Sequence, residues 1–524
     1  MRNVEARVLK FVWDEDPDLA VEAGYIPSRL WEDWSRERLQ RVREEAEGLL
    51  MDAARANLPQ MTAVAAQFHV ASTRLSVSAP AVGALNHMTG PVARLSWASD
   101  AWPLAADPSC EVYVERLRQF PSYCSALLRC IEEELEPSRN ASRTVLSAFI
   151  EQIDAFVEAE KSGSGGLFVP LHRALQAGHI STFPASELLE RILESLGRLR
   201  KVARISMKSA QSTSPLASAV DGAELYSAAI YRGASLPMTP DNIERLGQRI
   251  LQGSDRRVRQ LLDSGHVTMG EPPTGSQLLE EFRTVDAMLK AALPRVTPVQ
   301  PATGCRVVPM PEAHAAVGPP AYYGPSSARN GRLGSLYVNI AEPVMTRPWE
   351  ILPLAMHEGV PGHHLQLGLL DENENLPDLV RLLSVNAFTE GWAVYAETLA
   401  PVMNIDISPS AEFGLLAYQR WRAARLVVDV GLHVRGWSVG KAARFMSEQT
   451  GQDLRAVRRE IVRYLAWPGQ ALGYAVGAHV IAQWIKARMS GGLQLGAAHA
   501  ELLGLGSVPL SILMPLIDDE HIVS

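Results

Sequence analysis

SPSAEFGLLAYQRWRAARLVVDVGLHVR (408–435) reads as one long helix. Ser408 suits the N-cap, and Pro409 suits the first helical position, where its missing N–H costs nothing. Arg422, Arg425, Asp429 and His433 recur at spacings of three and four, so they form one polar stripe on an otherwise apolar helix. Working outward, SVNAFTEGWAVYAETLAPVM (384–403) predicts another helix. Ser438 caps the next one and Gly451 ends it. A further helix stops at Trp467-Pro468, and a last long one spans about 470–489. Upstream, WSRERLQRVREEAEGLLMDAARAN (34–57) mixes Arg/Glu pairs with an apolar stripe. Residues 140–161, 185–208, 242–263 and 276–292 follow the same period. The 293–333 stretch, rich in Pro and Gly, predicts a loop-rich connector, followed by one short strand at SLYVNI (335–340). So many helices against one strand predict a mainly α fold with a small β element. The texture divides the chain into an N-terminal helical region (1–300) and a C-terminal region (301–524) that holds the histidine cluster read below, expected as one compact two-lobed unit.

Composition narrows the function. The 524 residues are 47% hydrophobic and 21% charged, which is ordinary globular usage and excludes a disordered or fibrous chain. The net charge of −8 disfavours nucleic acid or an anionic membrane as partner. The four cysteines form no C-x-x-C pair, so neither a disulfide framework nor a thiolate zinc site is expected. The N-terminus carries charges and lacks an apolar h-region, and no 18-residue apolar run occurs. A cytoplasmic protein without a membrane span is the expectation.

Three of the thirteen histidines fall in His357-Glu358-Gly359-Val360-Pro361-Gly362-His363-His364. In the HExxH zinc motif, two His at i and i+4 share a helix face and the Glu between them is the general base. Here i+4 is Pro361. His357 and His363, six apart, would diverge by about 240° and about 9 Å on a regular helix. Pro361 breaks such a helix, and Gly359 and Gly362 add backbone freedom, so a broken turn could swing the two rings together. The plain alternative is a pair of His capping a helix end. Glu390 and Glu397, seven apart on one helix, offer a carboxylate ligand and a second carboxylate to orient a histidine. On the polar stripe, Arg422 or Arg425 could hold a substrate carboxylate and His433 could donate to an oxyanion. The alternative there is a buried ion network. Tyr474 is another oxyanion donor by type, although a lone Tyr is often plain packing.

The blocks HEGVPGHHLQ (357–366), TEGWAVYAE (389–397), RAARLVVDVGLH (422–433) and RYLAWPGQALGY (463–474) together resemble the bacterial domain-of-unknown-function 885 family. The resemblance extends more weakly to TPDNIERLGQRIL (239–251) and KFVWDEDPDLAVEAGY (10–25). That family is grouped with the gluzincin metallopeptidases, near the helical carboxypeptidase Taq-like enzymes. The resemblance implies a helical fold with a deep central cleft and one Zn²⁺ per chain. It implies Glu390, followed by Gly391, as third ligand, and favours His363, after Gly362, over His364 as second. With His357 these make the ligand set, and Glu358 the general base. His433 or Tyr474 would steady the oxyanion. The implied activity is hydrolysis of amide bonds in short peptides or small acylated amines. A biosynthetic metalloenzyme acting on one small metabolite is the alternative, and a metal-free scaffold the third reading. The chain departs from the gluzincin pattern in lacking HExxH. Oligomeric state is left open.

Overall fold

Helix boundaries follow the apolar period and the capping chemistry. The computed structural model describes residues 2–517, apart from positions 36, 57, 79–83, 103–106, 135–140, 269, 312–317 and 329–330. The five upstream stretches become helices Arg38–Arg55, Arg143–Ser162, Ala185–Ser209, Pro240–Asp263 and Gly275–Ala292. Ser142 accepts from the Val145 N–H at 3.4 Å, and Gly163, at φ 78°, closes the same helix. Thr239 accepts from the Asn242 N–H, and Thr274 and Gln277 form a capping box. The long 408–435 stretch is helix Pro409–His433, with Ser408 Oγ accepting from the Ala411 N–H at 3.2 Å.

Two expectations need correction. The 384–403 stretch is helical only over Asn386–Glu397. The Thr398 hydroxyl turns back onto the Tyr395 carbonyl at 2.6 Å, and Pro401 disfavours helix in the residue before it. The 293–333 connector is more ordered than its Pro and Gly content suggests. It contains β1 (Cys305–Pro309) and β2 (Ala321–Gly324). The anticipated strand is β3 (Gly334–Val338).

The chain divides into two compact units. The first comprises Met1–Ala229, Gly431–Ala443 and Arg455–Pro468, and its described elements are helices. Its interior holds paired charges. Glu15, 3% exposed, accepts from Arg38 Nε at 3.0 Å and Arg41 Nη1 at 2.7 Å. Arg116, also buried, donates to Asp18 at 2.7 Å and to the Leu30 carbonyl at 2.8 Å, and lies 4.1 Å over the Trp31 ring. Charges this deep are tolerable only when paired in this way. Glu15 and Asp18 come from the 10–25 block, so these two of its acids are internal wiring.

The second unit comprises Ile230–Val430, Arg444–Leu454 and Gly469–Ser524. It carries a three-stranded sheet of order β1-β3-β2. β3 pairs parallel with β1, Cys305 opposite Gly334, and antiparallel with β2, Tyr323 opposite Leu336. The central strand buries Leu336 and Val338 completely. Helix Gly275–Ala292 packs its Leu278, Phe282 and Leu289 face beside β1 and against helix Ile351–Glu358. β2 is left at an edge, close to the end of the Ile351–Glu358 helix. Among the described residues no helix is long and apolar enough to cross a membrane.

Candidate metal centre

Helix Ile351–Glu358 is buried from Ile351 to His357. It ends at Gly359. The Gly359-Val360-Pro361-Gly362 turn follows, with a cis Val360–Pro361 bond, and helix His363–Glu372 starts afresh. Gly362 is required there, because a Cβ would lie 2.1 Å from the His357 carbonyl oxygen and 2.3 Å from that of Met356. The His364 N–H donates to the Gly359 carbonyl at 3.1 Å, and the indole N–H of buried Trp392 donates to the Pro361 carbonyl at 2.8 Å. The turn is thus pinned from inside and outside. It brings the His357 and His363 rings to 4.7 Å between centroids, nearly perpendicular.

Helix Asn386–Glu397 supplies both carboxylates. Glu390 Oε2 lies 3.4 Å from His357 Nε2 and 3.6 Å from His363 Nε2. Glu397 Oε1 lies 2.8 Å from His357 Nδ1. The two acids therefore face opposite edges of one imidazole, as their seven-residue spacing permits. The helix is seated by an unusually close approach. A Cβ on Gly391 would meet Gly477 backbone atoms at 2.5 Å, so Gly391 also has a packing reason to follow Glu390.

Ligand atoms of His357, His363 and Glu390 all lie within 4.8 Å of one another. Bonds of about 2.0–2.2 Å in a tetrahedral site place ligand atoms about 3.3–3.6 Å apart. The two measured histidine–glutamate separations match that spacing. Glu390 Oε2 is buried and has no hydrogen-bond partner, which is the state of a lone pair that a cation would satisfy. Two imidazoles and a carboxylate suit zinc and several other divalent ions. The residues present therefore fit a metal ion. His364 is turned elsewhere, its Nδ1 3.0 Å from the Tyr323 hydroxyl, and burial pushes it down to about 4.

The electrostatics draw positive charge to this point. Burial opposes ionisation of Glu390, but His357 and His363 outweigh it and hold the carboxyl well below its usual range. Burial likewise opposes charge on His357, yet Glu390 and Glu397 lift it to about 9. Burial raises Glu358, with the Glu390 charge adding to it and the two histidines opposing. Glu358 Oε2 accepts the backbone N–H of Tyr323 in β2 at 2.9 Å.

The other anticipated residues divide into two groups. Arg422 lies in the same unit, with Nη2 2.8 Å from Glu397 Oε1. Arg425 stacks 4.6 Å over the Tyr474 ring. Asp429 is fully buried and accepts from the Gly469 N–H at 3.2 Å, which shapes the turn leading to Tyr474. Asn386 donates to the Gln470 carbonyl at 3.4 Å and so ties that turn to the start of the Glu390 helix. His433 belongs to the first unit. Its Nδ1 is 2.7 Å from Ser214 Oγ, its Nε2 is 3.1 Å from the Tyr464 carbonyl, and its ring stacks on Tyr226. Both ring nitrogens are engaged, so His433 has a packing role there and no nitrogen left to donate to an oxyanion. Tyr323 was not singled out from the sequence. Its short strand lies among Pro and Gly residues, and its contact with Glu358 is made by the backbone, which leaves no side-chain signal.

Residues 17–517 match a family described as bacterial protein of unknown function (DUF885). No curated protein matches the chain. A solved structure from Colwellia psychrerythraea, described as a "putative lipoprotein", is similar with a TM-score of 0.85 at 22% identity, over 99% of this chain and 98% of that one. Another from Shewanella oneidensis, of unknown function, is similar with a TM-score of 0.73 at 14% identity, over 98% of each chain. At these identities the likeness shows the fold alone.

Proposed function

The chain belongs to the DUF885 family of bacterial proteins of unknown function, and we propose that it is a metal-dependent hydrolase of amide bonds, of gluzincin type, acting on short peptides or small acylated amines. The observation that carries this reading is the convergence of His357, His363 and Glu390, with Glu358 directly beside them. Those three residues would hold one Zn²⁺. When bound, the ion would supply Lewis-acid activation of water and of the substrate carbonyl.

The chain's own groups supply the proton transfers. Glu358 is fixed by the Tyr323 N–H on one oxygen, and its raised pKa brings it nearer to neutral pH, where a general base works best. It takes a proton from the attacking water as the new C–O bond forms. It then passes that proton to the nitrogen as the C–N bond breaks, leaving a carboxylate and an amine. Tyr474, beneath Arg425, is the candidate for steadying the developing oxyanion, and Arg425 for meeting a substrate carboxylate.

The test is a screen of short peptides and acylated amines with zinc-loaded protein and the Glu358→Gln variant. The variant keeps its metal and loses about 10²–10⁴-fold in turnover. Undiminished turnover by Glu358→Gln contradicts the base assignment. Consumption of a metabolite with no peptide cleaved would favour the biosynthetic alternative.

A further inference from the structure

Arg422 was a candidate for holding substrate, but its surroundings suit a different task. It is buried, at 6% exposed. Its Nη2 lies 2.8 Å from Glu397 Oε1 and 3.4 Å from His357 Nδ1. The same Glu397 oxygen is 2.8 Å from His357 Nδ1. The guanidinium stacks 4.9 Å over Tyr418, whose hydroxyl donates to Glu350 Oε1 at 3.3 Å. Arg422 therefore stands on the Nδ1 edge of His357, whereas Glu390 meets the Nε2 edge.

A metal-ligating imidazole presents one nitrogen to the ion and donates the N–H of the other to a fixed acceptor. Glu397 is that acceptor here. It is 3% exposed, and a buried carboxylate needs a partner to hold its charge and its orientation. Arg422 provides it, with the planar guanidinium braced by the Tyr418 ring. Resting on the metal-centre reading, we infer that Arg422 is a positioning residue. Through Glu397 it holds His357 with Nδ1–H directed to the carboxylate and Nε2 presented to the metal.

The experiment titrates the full metal-free chain with Co²⁺ alone and with Zn²⁺ alone. It compares wild type, Glu397→Gln, Arg422→Gln, Arg422→Lys and the Glu397→Gln/Arg422→Gln double variant. Folding is checked by circular dichroism, and the visible spectrum of bound Co²⁺ reports on ligand geometry. Arg422→Gln and Glu397→Gln each weaken metal binding by about 10–100-fold and alter the Co²⁺ spectrum. The double variant is no weaker than the weaker single one, because Arg422 acts through Glu397. Arg422→Lys loses less, since it keeps the charge without the planar fork. Wild-type or tighter affinity in folded Arg422→Gln overturns the inference, as does full additivity in the double variant. If Arg422→Gln does not fold, Arg422→Lys decides: a measurable loss with an altered spectrum supports the inference, and parity with wild type overturns it. Failure of the wild-type chain to bind either ion defeats the metal-centre reading itself and this inference with it. A normal wild type with an unaffected Arg422→Gln defeats this inference alone.

Discussion

Replacing Gly391 by Ala tests how the carboxylate helix is seated. The added Cβ would lie 2.5 Å from Gly477 Cα, 2.5 Å from its carbonyl carbon and 2.9 Å from the Ala478 nitrogen. Carbon atoms pack at about 3.5–4.0 Å, so the two helices must part by about 1 Å. The obstructing atoms are backbone and cannot rotate aside. Overpacking of this kind costs about 1–3 kcal/mol. Glu390 is the neighbouring residue, so its carboxylate shifts relative to the two imidazoles by a similar distance. Urea denaturation of the metal-free protein reads the first effect, as a lower midpoint at unchanged slope. Calorimetric titration with zinc reads the second, as a loss of more than about 10-fold in affinity. Gly197→Ala is the control. It sits within helix Ala185–Ser209 with nothing within 4 Å of its added Cβ, so it should stabilise by about 0.5–1 kcal/mol. A Gly391→Ala protein as stable as wild type and binding zinc equally well would refute the close-approach argument.

The electrostatics of the site and the packing of the first unit set further outcomes. His357 is raised to about 9, so its contribution to metal-free stability is complete below about pH 6.5 and is lost as pH rises through about 9. The contribution of Glu390, whose pKa is depressed, is present above its ordinary value and is lost only as pH falls through the lowered one. Metal competes with the His357 proton, so zinc affinity climbs from pH 6 towards about 9 and then levels. Isothermal titration over that range would show a flat profile if the reasoning is wrong. His433→Ala leaves buried Ser214 Oγ without its His433 partner, while the Tyr464 carbonyl keeps the Trp467 N–H at 3.2 Å, and should cost about 1–3 kcal/mol in thermal unfolding without changing zinc affinity. A His433→Ala protein of normal stability but weakened zinc binding would return that residue to the site.

The helical character of the chain was legible through the apolar period and the N-cap at Ser408, and the structure adds caps at Ser142, Thr239 and Thr274 to the same helices. β1 and β2 were hidden because short strands among Pro and Gly residues lack a period to read. The conjunction of His357, His363 and Glu390 was legible through one rule, that Pro361 must break a regular helix, together with family resemblance at Thr389-Glu390-Gly391. The roles along Arg422, Arg425, Asp429 and His433 were not. Spacings of three and four show a shared stripe but not what each side chain meets, and these four meet Glu397, Tyr474, the Gly469 N–H and Ser214.

Metal content per chain, measured by mass spectrometry on untagged protein with wild type beside His357→Ala and Glu390→Gln, tests directly whether His357, His363 and Glu390 hold an ion. About one zinc per wild-type chain is expected, lost in both variants while their folds persist. A wild-type chain that carries no metal and takes up none on titration, or variants that keep a full complement, would contradict that assignment.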